Sequence, residues 1–327
     1  MTKEIARIGV FTSGGDAPGM NAAIRAVVRA AIFYKKEIFG IMRGYEGMIE
    51  GELVKLGARS VGNILQRGGT ILKTARSEEF KTVEGRKRAL DELKKEGIDA
   101  LIAIGGDGTF TGLHKLYQEC GMPVICIPGT IDNDISGTDY TIGFDTATNT
   151  AVEALDKIRD TALSHNRLFF IEVMGRNSGY IAINSGIAGG AGAIIIPEDN
   201  STFDEFYQKL GAGEITNKKS NLVVVAEGSK IGTADELARK VAERSSYFDI
   251  KVTILGHLQR GGAPTYFDRV LASKMGVAAV EGLLQGHTDA MIGIRNNKIV
   301  FNQFDDIMNS HHEIDEEMKR IAKILSI

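Results

Sequence analysis

The chain has 327 residues, which is enough for about two domains of roughly 150 residues each. Its 43% hydrophobic and 25% charged residues are typical of a globular protein, and a net charge of −3 excludes an extensive basic surface for nucleic acid or anionic membranes. No apolar run approaches the ~18 residues that cross a bilayer, and the N-terminus has no signal peptide pattern, so we expect a cytoplasmic protein.

Short apolar runs alternate with amphipathic stretches along the whole chain. Apolar runs predict strands at Ile5 to Phe11, Ile38 to Met42, Ala100 to Ile104, Val124 to Ile127, Leu168 to Val173, Ala193 to Ile196, Leu222 to Ala226, Val252 to Leu255 and Ala290 to Ile294. Helical periodicity predicts helices at Asn21 to Tyr34, Val83 to Glu96, Thr109 to Glu119, Thr146 to Ser164, Phe203 to Leu210, Ala234 to Ser245 and Asp268 to Leu284. This alternation predicts an α/β fold with mostly parallel sheets.

The first strand runs into a glycine-rich turn that leads into a helix. This turn reads Thr12-Ser13-Gly14-Gly15-Asp16-Ala17-Pro18-Gly19-Met20-Asn21 and lacks the Gly-Lys-Ser/Thr ending of a P-loop. Its backbone N–H groups and the helix N-terminus suit a phosphate, although a plain tight turn also fits the sequence.

A second turn, Gly105-Gly106-Asp107-Gly108-Thr109, follows the strand that starts at Ala100. The glycines leave room for a triphosphate, and Asp107 is a candidate Mg²⁺ ligand, since Mg²⁺ takes only one or two protein carboxylates. The structural alternative is a helix start in which Asp107 or Thr109 caps first-turn amides.

A third segment, Pro128-Gly129-Thr130-Ile131-Asp132-Asn133-Asp134, follows the strand that starts at Val124, and we interpret it as a loop. The carboxylates of Asp132 and Asp134, two residues apart, can have separate roles, one as a base for an acceptor hydroxyl and one near a metal. A turn closed by Asx hydrogen bonds is the structural alternative. In an open α/β sheet, ligands bind beyond the carboxyl ends of the strands, so the second and third segments should face one ligand.

These three segments, with Met174-Gly175-Arg176 and Gly256-His257-Leu258-Gln259-Arg260-Gly261-Gly262, resemble the bacterial ATP-dependent 6-phosphofructokinases. The resemblance covers almost the whole chain, in order. It implies two Rossmann-like three-layer α/β/α domains facing across a cleft, one binding ATP (1–142 plus 259–310) and one binding fructose 6-phosphate (143–258 plus 311–327). It also implies a glycolytic kinase that transfers the γ-phosphoryl group of ATP to the sugar 1-hydroxyl.

The resemblance assigns roles to individual residues. Asp132 takes the hydroxyl proton, Thr130 and Arg176 lie at the transferred phosphoryl group, and Arg76 bridges the phosphates. The ATP site comprises Gly15, Arg76, Ser77, Gly106, Asp107, Gly108 and Thr109, with Mg²⁺ on Asp107. The fructose 6-phosphate site comprises Thr130, Ile131, Asp132, Asp134, Arg167, Met174, Gly175, Arg176, Glu227, Lys251, His257 and Arg260.

The residue at position 251 departs from the family, which usually has arginine there. Lys251 keeps the charge but loses the bidentate fork, so weaker sugar-phosphate binding is expected. The family residues that match Arg167 and Lys251 reach into a neighbouring subunit, which implies a homotetramer with shared sites.

Two alternatives remain for the activity. Diphosphate-dependent members of the family carry aspartate at the position of Gly108 and lysine at that of Gly129, where a side chain is expected to fill space that ATP requires. Both residues are glycine here, which favours ATP. A non-catalytic nucleotide-binding homologue would be favoured by loss of Asp107, Asp132 or Arg176, and all three are present.

A second anion site is suggested by two basic residues four apart on the first predicted helix, Arg25 and Arg29, although an exposed basic face fits the spacing equally. The resemblance implies an allosteric pocket for ADP and phosphoenolpyruvate at a subunit interface, comprising Arg25, Arg29, Arg59, Arg159, Glu198, Lys218 and Lys219. Ala58 and Thr216 replace basic residues of the family there, so weaker effector binding is expected.

Overall fold

The structure is a computed structural model that describes residues 4–165, 167–215, 222–308 and 314–325. Within these residues the strands are β1 (Arg7–Thr12), β2 (Glu37–Ile41), β3 (Leu53–Leu56), β4 (Ala100–Gly105), β5 (Val124–Thr130), β6 (Ile142–Gly143), β7 (Arg167–Val173), β8 (Ala193–Ile195), β9 (Leu222–Ala226), β10 (Asp249–Ile254), β11 (Ala290–Arg295) and β12 (Lys298–Gln303).

The α-helices of the same residues are α1 (Met20–Phe33), α2 (Gly44–Glu50), α3 (Val83–Lys95), α4 (Asp107–Cys120), α5 (Phe144–His165), α6 (Tyr180–Ala188), α7 (Phe203–Ile215), α8 (Ala234–Arg244), α9 (Tyr266–Leu284), α10 (Phe304–Met308) and α11 (Glu316–Leu325). Two 3-10 helices, Glu79–Lys81 and Gly256–Arg260, complete the regular structure of this part of the chain. None of the helices in the described ranges is long and apolar enough to cross a membrane.

Two compact units divide the chain. The first unit comprises Met1–Thr130, Ile135–Asp145 and Arg260–His312, and the second comprises Ile131–Asp134, Thr146–Gln259 and Glu313–Ile327. The chain passes from the first unit to the second between Thr130 and Ile131, directly after β5.

The sheet of the first unit has the order β12-β11-β5-β4-β1-β2-β3, and β6 pairs with the end of β5. The central pairs are parallel, whereas β3 and β12 join their neighbours in antiparallel pairs at the two edges. All six residues of β4 are buried, since helices cover both faces of a parallel sheet. The expectation of a mostly parallel α/β fold is confirmed.

The second unit contains a sheet with the order β10-β7-β9-β8, in which each described pair is parallel. Its core includes Phe170, Val223 and Val225 from the strands, and Leu237 and Val241 from α8. The helix α8 begins at a capping box, in which Thr233 and Glu236 satisfy each other's backbone N–H groups.

Some sequence predictions were wrong in detail. The strand that starts at Val124 continues to Thr130, so Pro128, Gly129 and Thr130 belong to β5 rather than to a loop. Both Gly129 and Thr130 pair with β6, which the sequence did not predict. The predictions also omitted two strands and four helices: β3, β12, α2, α6, α10 and α11.

Candidate functional site

Two glycine-rich turns and the end of β5 meet at the carboxyl edge of the first unit's sheet, because β1, β4 and β5 are parallel neighbours. The Ser13 N–H donates to the carbonyl of Ile104 at 3.1 Å. A Cβ on Gly105 would stand 2.5 Å from the Ser13 carbonyl oxygen, and a Cβ on Gly106 would stand 3.9 Å from the Cβ of Thr130. The structure therefore brings the first two glycine-rich turns and Thr130 together.

The N-terminus of α4 lies at this junction. The helix begins at Asp107, two residues earlier than predicted, with Gly106 as its N-cap and no side-chain capping bond. Thr109 is 3% exposed, and its hydroxyl is buried without a hydrogen-bond partner among the described residues. A helix N-terminus attracts anions, and a buried hydroxyl without a partner is an available donor. The structural features thus fit a phosphate group.

The two glycines that favour ATP differ in their surroundings. A Cβ added at Gly108 would meet no atom within 4 Å, so this position borders open space. A Cβ at Gly129 would instead meet Ile104 Cγ2 at 3.0 Å and Met20 Cε at 3.3 Å. A side chain at Gly129 would therefore first meet apolar packing, and Ile104 would have to move to admit it. At Gly108, the open space agrees with the expectation that a side chain there would fill room that ATP requires.

The residue Arg260, expected at the sugar phosphate, lies against the first glycine-rich turn. Its Nη1 donates to the carbonyl of Asp16 at 3.1 Å and would stand 2.4 Å from a Cβ on Gly15. Any side chain at position 15 would displace the guanidinium. The sequence motifs signalled both residues, but not their contact.

Arg76 and Ser77 lie near the end of the long segment between β3 and the 3-10 helix Glu79–Lys81. The Arg76 side chain is exposed, and the Ser77 Oγ accepts from the N–H of Phe80 at 3.2 Å. Ser77 therefore also has a structural role at the start of the 3-10 helix.

In the second unit, Asp132 and Arg176 lie on irregular segments with left-handed residues. Asp132 is 4% exposed, and its carbonyl accepts from the Ser178 hydroxyl at 2.8 Å. The φ angle is 52° at Arg176 and 50° at Asn133, an unusual conformation that tends to occur at functional sites. The Arg176 N–H donates to Glu227 Oε2 at 3.2 Å, so these two predicted residues are in contact.

One residue that the sequence analysis did not assign fixes the strand end before Arg176. Gln259 is fully buried, and its Oε1 accepts from the N–H of Met174 at 3.2 Å while its Nε2 donates to the Gly256 carbonyl at 3.0 Å. Gln259 lies inside the quoted motif at 256–262, which was the available signal. The remaining predicted residues of this unit are the buried Ile131 and Gly175, the half-buried Asp134 and the exposed His257.

Arg167 and Lys251 converge on one carboxylate. Asp249 Oδ2 accepts from Arg167 Nε at 2.8 Å, and Asp249 Oδ1 accepts from Lys251 Nζ at 2.7 Å. These bonds, first from Lys251 and then from Arg167, lower the pKa of the Asp249 carboxyl below its ordinary value. The parallel pairing of β10 with β7 sets Asp249 opposite Arg167 and explains the cluster.

The predicted effector residues are distributed over both units. Arg25 and Arg59 are in the first unit, half-buried and exposed respectively, and Arg29 is an exposed residue of α1. In the second unit, Arg159 has a buried Nη2 without a hydrogen-bond partner in the described ranges, whereas Glu198 Oε1 accepts from the N–H of Gly179 at 2.8 Å. Lys218, Lys219 and Thr216 lie outside the described residues.

The family follows from comparison with known proteins. A family model described as Phosphofructokinase matches residues 7–283. The chain belongs to the phosphofructokinase family. A phosphofructokinase from Halalkalibacterium halodurans, named ATP-dependent 6-phosphofructokinase, is 54% identical over 98% of this chain and 99% of its own. A second relative of the same name, from Caldanaerobacter subterraneus subsp. tengcongensis, is 55% identical over the same shares of the two chains.

A solved phosphofructokinase also has this fold. The phosphofructokinase of Saccharomyces cerevisiae matches with a TM-score of 0.84 and 37% identity over 98% of this chain. This chain spans 45% of the length of that yeast chain, whereas it spans nearly all of the bacterial relatives.

Proposed function

We propose that this chain transfers the γ-phosphoryl group of ATP to the 1-hydroxyl of fructose 6-phosphate, giving fructose 1,6-bisphosphate and ADP in glycolysis. The observation that carries the proposal is the junction at the carboxyl ends of β1, β4 and β5, where the buried Thr109 hydroxyl lacks a partner in the described ranges. The 54% identity to a relative named ATP-dependent 6-phosphofructokinase supports the same activity.

On the donor side, the first unit would bind ATP. Backbone N–H groups around Gly15 and Gly106, together with the N-terminus of α4, would hold the phosphates, while Thr109 would donate its hydroxyl. Arg76 and Ser77 would complete the nucleotide site. Asp107, in the first turn of α4, fits a Mg²⁺ ligand because magnesium prefers a carboxylate oxygen beside phosphate oxygens. Magnesium would neutralise negative charge on the transferred group.

On the acceptor side, most of the residues that would bind the sugar phosphate belong to the second unit, whereas Thr130 and Arg260 belong to the first. Asp132 would accept the proton of the attacking hydroxyl, a role worth about 10²- to 10⁴-fold in rate. Arg176 and Thr130 would stabilise charge on the transferred phosphoryl group. The positive charge for the 6-phosphate would come from Arg167, Lys251, His257 and Arg260. When the sugar phosphate binds, Lys251 and Arg167 would replace their hydrogen bonds to Asp249 with hydrogen bonds to phosphate oxygens.

ATP is the proposed donor in preference to diphosphate. The open space beside Gly108 would be occupied by the aspartate of the diphosphate-dependent members, and no such side chain is present here. The experiment is a coupled assay of fructose 1,6-bisphosphate formation with ATP or diphosphate. If product forms with diphosphate but not with ATP, the proposed donor is refuted. If product forms with neither donor, the proposed reaction is refuted.

The role of Asp132 is tested by Asp132→Asn, which keeps the shape and removes the base. We expect turnover to fall by at least about 100-fold while ATP binding changes little. A matched control is Asp235→Asn, the same change at an exposed position in the first turn of α8. Near-normal turnover in the Asp132 variant would exclude Asp132 as the base.

The assembly and its regulation also belong to the proposal. A homotetramer would let Arg167 and Lys251 serve a neighbouring subunit, and ADP and phosphoenolpyruvate would bind near Arg25, Arg29, Arg59, Arg159, Glu198, Lys218 and Lys219 in a cytoplasmic enzyme. Supporting this, Arg159 offers a buried Nη2 without a partner in the part of the chain that the structure describes. Sedimentation gives the subunit number, and Arg159→Ala should reduce any response of the kinetics to ADP and phosphoenolpyruvate.

A further inference from the structure

The segment between β3 and the 3-10 helix Glu79–Lys81 delivers Arg76 and Ser77 to the proposed nucleotide site, yet it is irregular along its length. Its main-chain hydrogen bonds include short turns, such as Arg67 N to Ile64 O at 3.0 Å and Lys73 N to Thr70 O at 3.2 Å. Local turns alone do not fix where a long loop lies. The segment buries Val61, Ile64 and Leu72, and hydrogen bonds to the rest of the unit add to this packing.

One buried side chain supplies several of those bonds. Asn21 is 1% exposed, and its Nδ2 donates to the carbonyls of Arg67 and Gly68, both at 3.1 Å. Its Oδ1 accepts from the N–H of Ile71 at 2.8 Å. A single amide thus bonds three main-chain groups of the segment across five residues. Since Asn21 belongs to α1, the position of the segment is fixed relative to the first glycine-rich turn.

A second side chain of the same sequence motif holds the next part of the segment. Thr12 is fully buried, and its Oγ1 lies 2.9 Å from the Thr70 hydroxyl and 2.9 Å from the Lys73 carbonyl oxygen, to which it donates. The first and last residues of the first glycine-rich turn, Thr12 and Asn21, therefore both hold the segment that contains Arg76.

We propose that Asn21 is a positioning residue that holds the 67–71 turn and thereby places Arg76 for phosphoryl transfer. This inference rests on the proposed function, because it assigns Asn21 a role in the same nucleotide site. Without the amide, three partly buried main-chain groups lose their partner, so the segment should open locally and Arg76 should spend less time in its productive position. Misplacement of a reacting group by about 1 Å can lower the rate by about 100-fold.

A double-mutant cycle separates positioning from a general structural role. We expect Asn21→Ala to lower kcat by about 10- to 100-fold with a smaller change in the KM for fructose 6-phosphate. In the Arg76→Ala background, the further effect of Asn21→Ala should largely disappear, because residues that act as a unit are not additive. Fully additive effects would overturn the proposal.

A second readout does not depend on activity. Trypsin cleaves after Arg67, which is exposed and whose carbonyl Asn21 binds. We expect cleavage there to be at least about tenfold faster in Asn21→Ala, since cleavage reports the population of the open segment. The matched control is Thr288→Val, which removes a hydrogen bond from the Val124 N–H at 3.1 Å, at the opposite end of β5. Equal cleavage of the wild type and Asn21→Ala would overturn the proposal.

If Asn21→Ala does not fold, Thr70→Val gives the same test from the segment side, because it removes the Thr12 contact without changing α1. Its loss of kcat should likewise be reduced in the Arg76→Ala background, and additivity would overturn the inference. The wild-type assay separates the two proposals: an enzyme inactive with ATP refutes the proposed function and the role of Arg76 with it. An active enzyme with unchanged variants refutes only the role of Asn21.

Discussion

The substitution Gly228→Ala tests whether the main chain of Arg176 must stay where the structure places it. A Cβ at position 228 would lie 1.9 Å from the Arg176 carbonyl oxygen and 2.9 Å from its carbonyl carbon. Real Cβ atoms essentially never come closer than 3.0 Å to such neighbours, so the Arg176 carbonyl must move by at least 1.1 Å (3.0 − 1.9 Å) if residue 228 stays fixed.

A shift of this size should impair catalysis without preventing the protein from folding. Overpacking typically costs about 1–3 kcal/mol, so the variant should fold with a lower Tm. A displacement of about 1 Å at a reacting group can lower the rate by about 100-fold, so kcat should fall by about that factor if Arg176 lies at the transferred phosphoryl group. The assay couples ADP formation from ATP and fructose 6-phosphate to a spectroscopic readout.

A matched control in the same unit makes the reasoning refutable. Gly211 lies in α7, and a Cβ there would meet no atom within 4 Å. Gly211→Ala should therefore leave kcat unchanged and stabilise the fold by about 0.5–1 kcal/mol, since alanine favours helix. A folded Gly228→Ala enzyme with wild-type kcat would show that the Arg176 main chain is not a determinant of the reaction.

Three further outcomes are expected. Lys251→Ala should raise the KM for fructose 6-phosphate more than it lowers kcat, and an unchanged KM would remove Lys251 from the site. Glu119→Gln should destabilise the fold near neutral pH, because Arg86 hydrogen bonds lower the pKa of Glu119 from its ordinary 4.5. This stabilisation is present above about pH 4.5 and is lost as the pH falls through the lowered pKa. The urea midpoints of the wild type and Glu119→Gln should therefore differ near neutral pH and converge in acid. A difference between the two midpoints that stays constant with pH would contradict this prediction. Gly276→Ala, whose Cβ would stand 2.6 Å from that of Ala26, should destabilise by about 1–3 kcal/mol in thermal melts, and an unchanged Tm would count against this packing.

The central strands were predictable because burial on both faces leaves a continuous apolar signal, as in β4 and β9. The edge strand β3 reads Leu-Val-Lys-Leu, and its Val54 and Lys55 are exposed. Its apolar pattern is too short to distinguish a strand from a loop. The helix α6 was missed for the opposite reason. It is largely buried, so its apolar residues do not form the one-sided stripe that helical periodicity detects.

At the candidate site, the motifs pointed to the turns but not to the contacts within them. Nothing in the sequence indicates that the Arg260 guanidinium lies on Gly15, or that Gly129 faces Ile104, because both contacts depend on strand order. The buried polar residues Asn21 and Gln259 lay inside quoted motifs, yet their partners are main-chain groups, which carry no sequence signal.

The strand order of the first unit has a consequence for synthesis on the ribosome. The strand β11 pairs with β5 through Ala290 and Ile125, which are 165 residues apart (290 − 125). At about 5–20 residues per second, β11 emerges roughly 8–33 s after β5. One edge of β5 therefore remains unpaired with β11 while the intervening chain is synthesised. The nascent protein is most exposed to mispairing and aggregation during that interval, and a chaperone that covers this edge would act there.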